Sequence, residues 1–309
     1  MLKKNSTPNC QIYFIPPLLL GLGLGIVIGM VMSPHTPLPD AHTVHVKDDG
    51  GKWNIQQLPI MKSLSRGFRP VYVYSKATPD SMTQYSQERQ DEIIIALTAA
   101  NDATHNIFGK RQFFVDLAAN DALVLSNTYL LERNGWDGLC IEANPQYWYR
   151  LASFRNCTIV GAAVGGNIDG EEVEFAFRDV IGGVVRVGMD NDGQVGEKRN
   201  LVTISTVFNQ TNVPTVIDYM SLDVEGAESF VMENFPWDSY SITFLTIERP
   251  KEDLRQRLKS EGYKMMLTLT LYGETLWIHQ PSVSLSHEEI WRIAGEYNNS
   301  YFTRAPMID

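Results

Sequence analysis

Phe113-Phe114-Val115-Asp116-Leu117-Ala118-Ala119-Asn120-Asp121-Ala122, joined through a polar segment to Gly138-Leu139-Cys140-Ile141-Glu142-Ala143-Asn144-Pro145, reads as strand, tight loop, helix and second strand. Asp116 closes the first strand and Glu142 the second. In an open α/β sheet, ligands bind outside the carboxyl ends of the strands, where the strand order reverses. An acid ending the second strand can accept from both hydroxyls of a ribose, which points to an adenosine-containing ligand. A dinucleotide site wants G-x-G-x-x-G, because pyrophosphate must approach the backbone at a helix N-terminus. The loop Asp116 to Asp121 has no glycine and two carboxylates. It would repel pyrophosphate and attract a sulfonium and an ammonium, so S-adenosylmethionine is the cofactor it favours. The competing reading is an ordinary strand-to-helix turn with solvated acids.

Outward from this unit the pattern stays regular. Strands are expected near 112–117, 138–142 and 157–163, with helices at 124–134 and 145–153. A polar, glycine-bearing excursion spans 169–200, within which 173–177 and 184–187 suggest a hairpin. A strand at 216–222 precedes a helix at 227–234, and a strand at 242–247 precedes a helix at 252–261. The last two strands, 264–270 and 274–279, are joined by Leu271-Tyr272-Gly273. That link is too short for a parallel crossover, so the pair is antiparallel. Five alternating strands closed by an antiparallel hairpin describe the seven-stranded, Rossmann-like α/β sheet of class I methyltransferases. A helix within 80–100 is expected over the sheet entrance, and another at 286–296.

The chain resembles the FkbM-type methyltransferases over roughly residues 111 to 280. Ile217-Asp218-Tyr219-Met220-Ser221-Leu222-Asp223-Val224-Glu225-Gly226-Ala227-Glu228 is similar to that family's I-D-x-L-K-I-D-V-E-G-x-E, and Val115 to Asn120 to its V-D-x-G-A-N. Ser126-Asn127-Thr128 through Trp136-Asp137-Gly138-Leu139, Thr246 to Pro250 and Gly273 to His279 resemble a membrane-tethered branch with eukaryotic members. One departure stands out. Ala118 takes the place of a glycine, adding a Cβ and restricting φ where the loop approaches the cofactor. The branch includes members that act in trafficking, so a non-catalytic cargo-binding module is the alternative to an enzyme.

Asp116, Glu142, Asp223 and Glu248 end the first, second, fourth and fifth strands of this pattern, at one edge of the sheet. Glu142 is expected to hold the ribose. Asp116, with the backbone of Ala118, Ala119 and Asn120, is expected against the methionine part. Asn144 flanks the adenosine or caps the helix that Pro145 begins. Asp223, Glu225 and Glu248 are the candidates for acceptor binding and proton removal, and Glu228 for the helix N-terminus. The three acceptor-side carboxylates could also take magnesium or calcium, but the resemblance implies no metal and none is assigned. Tyr272, Trp277 and His279 are expected on the acceptor side.

From Gln11 to Met32 run 22 residues without a charge, long enough as a helix for the ~30 Å hydrocarbon core. Lys3 and Lys4 precede them and no lysine or arginine follows until Lys47. The positive-inside rule then orients the chain as a single-pass type II protein, with its domain in the lumen of the endomembrane system. A cleaved signal peptide is the rival, with Pro34 against it. Three N-x-[ST] sequons, at Asn156, Asn209 and Asn298, give mild support for a glycoprotein. The organisation expected is a cytosolic tail (1–10), a signal anchor (11–32), a stem (33–65), a helical lead-in (66–110), the methyltransferase domain (111–280) and a C-terminal helix and tail (281–309). The net charge of −10 argues against a nucleic-acid partner. The acceptor implied is a hydroxyl on a glycan or small molecule. The three cysteines and six histidines show no zinc spacing, and Cys140 and Cys157 are expected to be buried thiols on adjacent strands rather than a disulfide.

Overall fold

The computed structural model describes residues 84–107, 109–297 and 303–304. The tail, the apolar 11–32 segment, the stem, the start of the lead-in and the Asn298 sequon lie outside the described residues. Among the described residues no helix is long and apolar enough to cross a membrane.

The elements in chain order are α1 (Gln90–Thr104), β1 (Phe113–Leu117), α2 (Tyr129–Arg133), β2 (Asp137–Ile141), α3 (Pro145–Phe154), β3 (Thr158–Val160), β4 (Ala163–Val164) and β5 (Glu172–Ala176). After a 3-10 turn at Asp179–Ile181 come β6 (Gly183–Val184), β7 (Glu197–Val202), α4 (Ile204–Thr211), β8 (Val216–Leu222), α5 (Glu228–Met232), β9 (Ser241–Glu248), α6 (Glu252–Ser260), β10 (Tyr263–Thr268), β11 (Glu274–His279), α7 (His287–Gly295) and β12 (Thr303–Arg304).

The main sheet has the order β12-β10-β11-β9-β8-β1-β2-β3. Strands β3, β2, β1, β8 and β9 are mutually parallel, and β11 is antiparallel to both β9 and β10. The order reverses between β1 and β8, so a crevice opens at the carboxyl ends of β1, β2 and β8. The expected seven strands are extended by an eighth, β12, which pairs with the free edge of β10 through two residues.

Period-two alternation divides the core. Val115 and Leu117 pack with Met220, Leu222, Leu245 and Ile247 under α4, α5 and α6. Phe114 packs with Tyr219, Phe244 and Leu276 under α1, α2 and α7. Helix α1 begins nearer position 90 than 80 and packs on α7.

Two local expectations are corrected. The 124–134 helix shortens to α2, because Asp121 Oδ1 accepts from Leu123 N and Val124 N at 3.0 Å and Leu125 sits at φ 59°, both turn rather than helix geometry. The 157–163 strand breaks after Val160, and Ala163–Val164 pairs instead with β7 in a second sheet of order β4-β7-β5-β6. The expected antiparallel pairing of 173–177 with the segment beginning near 184 is present as β5 with β6 through two pairs, and β5 also pairs with β7, from Glu172↔Asn200 to Phe175↔Glu197.

The cysteine expectation is also overturned. Cys140 and Cys157 form a disulfide with Cα atoms 6.0 Å apart. Cys140 lies within β2 opposite Ile159, whereas Cys157 precedes β3 in unpaired chain. Free of the ladder, its side chain can turn toward β2, and the spacing meets the ordinary disulfide range.

Candidate functional site

The crevice at the carboxyl ends of β1, β2 and β8 is a cleft lined on one side by Leu117, Ala118, Asn120, Glu142 and Asn144 and on the other by Asp223 and Glu225. Its walls are apolar, from Ile141, Ala162, Val164, Phe175 and Val184.

Glu142 is buried and organises two loops. Its Oε2 accepts from Asn120 N at 2.7 Å and its Oε1 from Asn144 N at 2.6 Å. Burial pushes its carboxyl up to about 7, against the pull of those backbone donors. The first loop is further held by Ala118 N and Ala119 N, both donating to Ile141 O at 3.0 Å. Ala118 adopts φ 67° and Asn120 φ 55°, the left-handed region that alanine enters at a cost. Asn144 caps α3 and lines the cleft. Its Oδ1 caps α3 by accepting from Gln146 N at 3.2 Å, while its Nδ2 stays buried without a partner. Asn120 Oδ1 is a second buried atom without a partner. An unpaired donor and an unpaired acceptor on one wall are costly unless a ligand satisfies them.

The 169–200 excursion supplies the roof. Asp179, at φ 57°, accepts through Oδ1 from Tyr147 Oη at 2.5 Å and Gln146 Nε2 at 3.2 Å. This brings Val180, Gly182 and Gly183 over the cleft. No motif at Asp179 signals this role; its place depends on β5, β6 and β7 meeting.

Two of the expected cofactor residues lie elsewhere. Asp116 faces the other side of the sheet from Leu117, because successive strand residues alternate. Its Oδ2 accepts from Thr128 Oγ1 at 2.5 Å, and Thr128 accepts from Arg155 Nη2 at 2.6 Å. Arg155 also pairs with Glu132 at 2.6 Å, the two side chains 0% and 3% exposed. Burial raises the Asp116 carboxyl, with Arg155 and Thr128 opposing. Asp116 thus secures the loop from beneath. Ala119 packs on the same face, beside Ala122 and Leu123.

Across the cleft, oxygens of Asp223, Glu225 and Glu248 lie within 4.8 Å of one another. Asp223 and Glu225 line the cleft, and Glu248 stands behind them. Arg249 bridges Asp190 at 2.7 Å, Glu248 at 2.6 Å and Glu225 at 3.4 Å. Burial pushes the Asp223 carboxyl well above its ordinary range, reinforced by Glu248, Glu274 and Glu225. The turn needs Gly226, at φ 84°, because a Cβ there would meet Asp190 Oδ1 at 2.7 Å. Glu228 folds back, its Oε1 accepting from Val224 N and Gly226 N, so it braces this turn from the first position of α5. His279 ends β11 at the opposite edge, paired with Tyr263 at the start of β10, because antiparallel β11 begins at the cleft edge. Trp277 is buried and donates to Thr275 Oγ1 at 2.9 Å. Neither lines the cleft, whereas Tyr272 lies in the exposed turn between β10 and β11.

Among solved structures the chain is similar to precorrin-6y C5,15-methyltransferase from Geobacter metallireducens GS-15, at 13% identity and a TM-score of 0.33, over 67% of this chain and 91% of that one. The METTL16 methyltransferase domain is similar at 10% identity and a TM-score of 0.32, over 64% and 69%. Likenesses this distant add nothing to the strand order described above. No curated protein matches the chain. Residues 116–265 match the methyltransferase FkbM domain, a range running from the end of β1 into β10 and including the whole cleft. Over those residues the chain carries a methyltransferase FkbM domain.

Proposed function

We propose that this protein is an S-adenosylmethionine-dependent O-methyltransferase acting on a hydroxyl of a glycan or small molecule. The observation that carries the reading is the pairing of Glu142, at the end of β2, with buried, unsatisfied Asn120 Oδ1 and Asn144 Nδ2 on the same cleft wall. The residues present fit the cofactor. Each Glu142 oxygen keeps a second lone pair for a ribose hydroxyl. Asn120 Oδ1 can accept from a hydroxyl or ammonium, and Asn144 Nδ2 can donate to the nucleoside. Ile141, Ala162, Val164, Phe175 and Val184 offer an apolar bed for a purine.

The bound cofactor supplies an electrophilic methyl group on a sulfonium. The chain's own residues orient and neutralise. The roof at 179–183 covers the cleft and limits water. The carboxylates of Asp223 and Glu225 face the space beside the cofactor, where they can bind an acceptor hydroxyl and stabilise its proton loss. Methyl transfer needs in-line alignment above all, so positioning supplies most of the rate.

Calorimetry with S-adenosylmethionine tests the reading. Binding is expected, and Glu142→Ala is expected to abolish it. Absence of heat with the wild-type protein would overturn it. A second reading, a cargo-binding module that keeps the fold without catalysis, draws on Ala118 at its strained φ. Biological function retained in Asp223→Asn, with no cofactor copurifying, would favour that module.

We place the domain in the endomembrane lumen, with residues 11–32 as a type II anchor. The Cys140–Cys157 disulfide supports an oxidising compartment. Asn209 is exposed on α4, so a glycosidase-sensitive mobility shift is expected there, and its absence in membrane-expressed protein would count against this orientation.

A further inference from the structure

We infer that Asp223, Glu225 and Glu248 form a site for a hard divalent cation on the acceptor side of the cleft. Three carboxylates come from two neighbouring strand ends, with oxygens mutually within 4.8 Å. Calcium–oxygen bonds of about 2.4 Å allow two ligands of one ion to lie up to about 4.8 Å apart, so the spacing of the three oxygens is within the reach of a single ion.

A second observation points the same way. Asp223 Oδ1 is fully buried and has no hydrogen-bond partner, a costly state for an oxygen that accepts from nothing. The nearby Arg249 guanidinium does not relieve it. Its Nη2 engages Glu225 and Glu248 through their Oε2 atoms and Asp190 through Oδ2. One cation therefore serves three carboxylates, and Asp223 is left out. An all-carboxylate donor set selects a hard ion over zinc or copper.

The role of the ion rests on the methyltransferase reading; its binding does not. Beside the cofactor, the cation would ligate an acceptor bearing neighbouring hydroxyls and lower the pKa of the attacking one. The hydroxyl proton passes to solvent, the oxygen–methyl bond forms as the carbon–sulfur bond breaks, and the thioether leaves.

The test uses the purified full chain in detergent, without cofactor, titrated separately with CaCl2, MgCl2 and MnCl2 by calorimetry and thermal melting. Saturable binding of one ion per chain is expected, weakened at least tenfold in Asp223→Asn and in Glu248→Gln. Glu172→Gln, in an exposed ion pair with Lys198, should bind as the parent does. In EDTA, Asp223→Asn should melt no lower than the parent, since it removes one of several like charges. Should that variant fail to fold, Glu225→Gln and Glu248→Gln carry the same expectation. No saturable binding by about 10 mM, tenfold beyond the weakest ~1 mM protein calcium sites, would overturn the inference, as would undiminished binding in the variants. Cation binding without cofactor binding would keep the site and sink the methyltransferase reading; the reverse would sink the site alone.

Discussion

Replacing Ala118 with glycine should stabilise the protein while leaving cofactor affinity nearly unchanged. Ala118 is held at φ 67° by the hydrogen bond from its N–H to Ile141 O, so it cannot relax into a favoured region. The left-handed conformation costs a Cβ-bearing residue ~1–2 kcal/mol. Glycine removes that cost but gives the unfolded chain ~0.4–1 kcal/mol of extra conformational entropy. The difference is a net gain of about 0.5–1 kcal/mol. In a domain of this size that gain raises Tm by roughly 1–4 °C. Denaturant unfolding provides the assay, with Ala119→Gly as control. Ala119 is buried and is absent from the left-handed positions, so its replacement should destabilise by about 0.5–1 kcal/mol. Destabilisation of Ala118→Gly matching that of the control would refute the argument. A tenfold gain in cofactor affinity, about 1.4 kcal/mol, would instead mark the Cβ as an obstruction and favour the non-catalytic reading.

Glu142 has a folded pKa raised to about 7 from 4.5, so its contribution to stability is present below about pH 4.5 and lost as pH rises through about 7. Hydrogen bonds to ribose favour the ionised carboxylate, so cofactor affinity should strengthen as pH rises toward 7, with proton release below it; Glu142→Gln should flatten the profile. Cys140 and Cys157 are separated by 17 positions, and loss of their bond should cost about 3 kcal/mol by the chain-entropy account; denatured, unreduced protein should show one free thiol, and three would refute the bond. Arg155→Met strands Glu132 and Asp116 as buried carboxyls without their cation and should destabilise by ~3–5 kcal/mol, whereas a change below 1 kcal/mol would show that solvent reaches them.

The sequence by itself determined the parallel strands, their alternation with helices and the closing hairpin. Runs such as Val216 to Leu222 and Ile242 to Ile247 carry apolar residues on both faces, and short links leave few topologies. Glu142 and Asp223 were legible because an acid ending an apolar strand run is conspicuous. Other features rest on contacts between residues distant in the chain. Whether Asp116 or Leu117 faced the cleft depended on which helices covered each side of the sheet, a choice that flips with one position of strand phase. Glu197-Lys198-Arg199-Asn200 reads as polar chain, and becomes strand only because β5 lies beside it. That pairing carries Asp179 to the cleft roof, far from any local signal. The disulfide likewise turned on Cys157 falling one step before β3 instead of within it. Local propensity and period reach only neighbours within a few residues, whereas these features are decided by burial and pairing that exist only once the sheet has closed around its core.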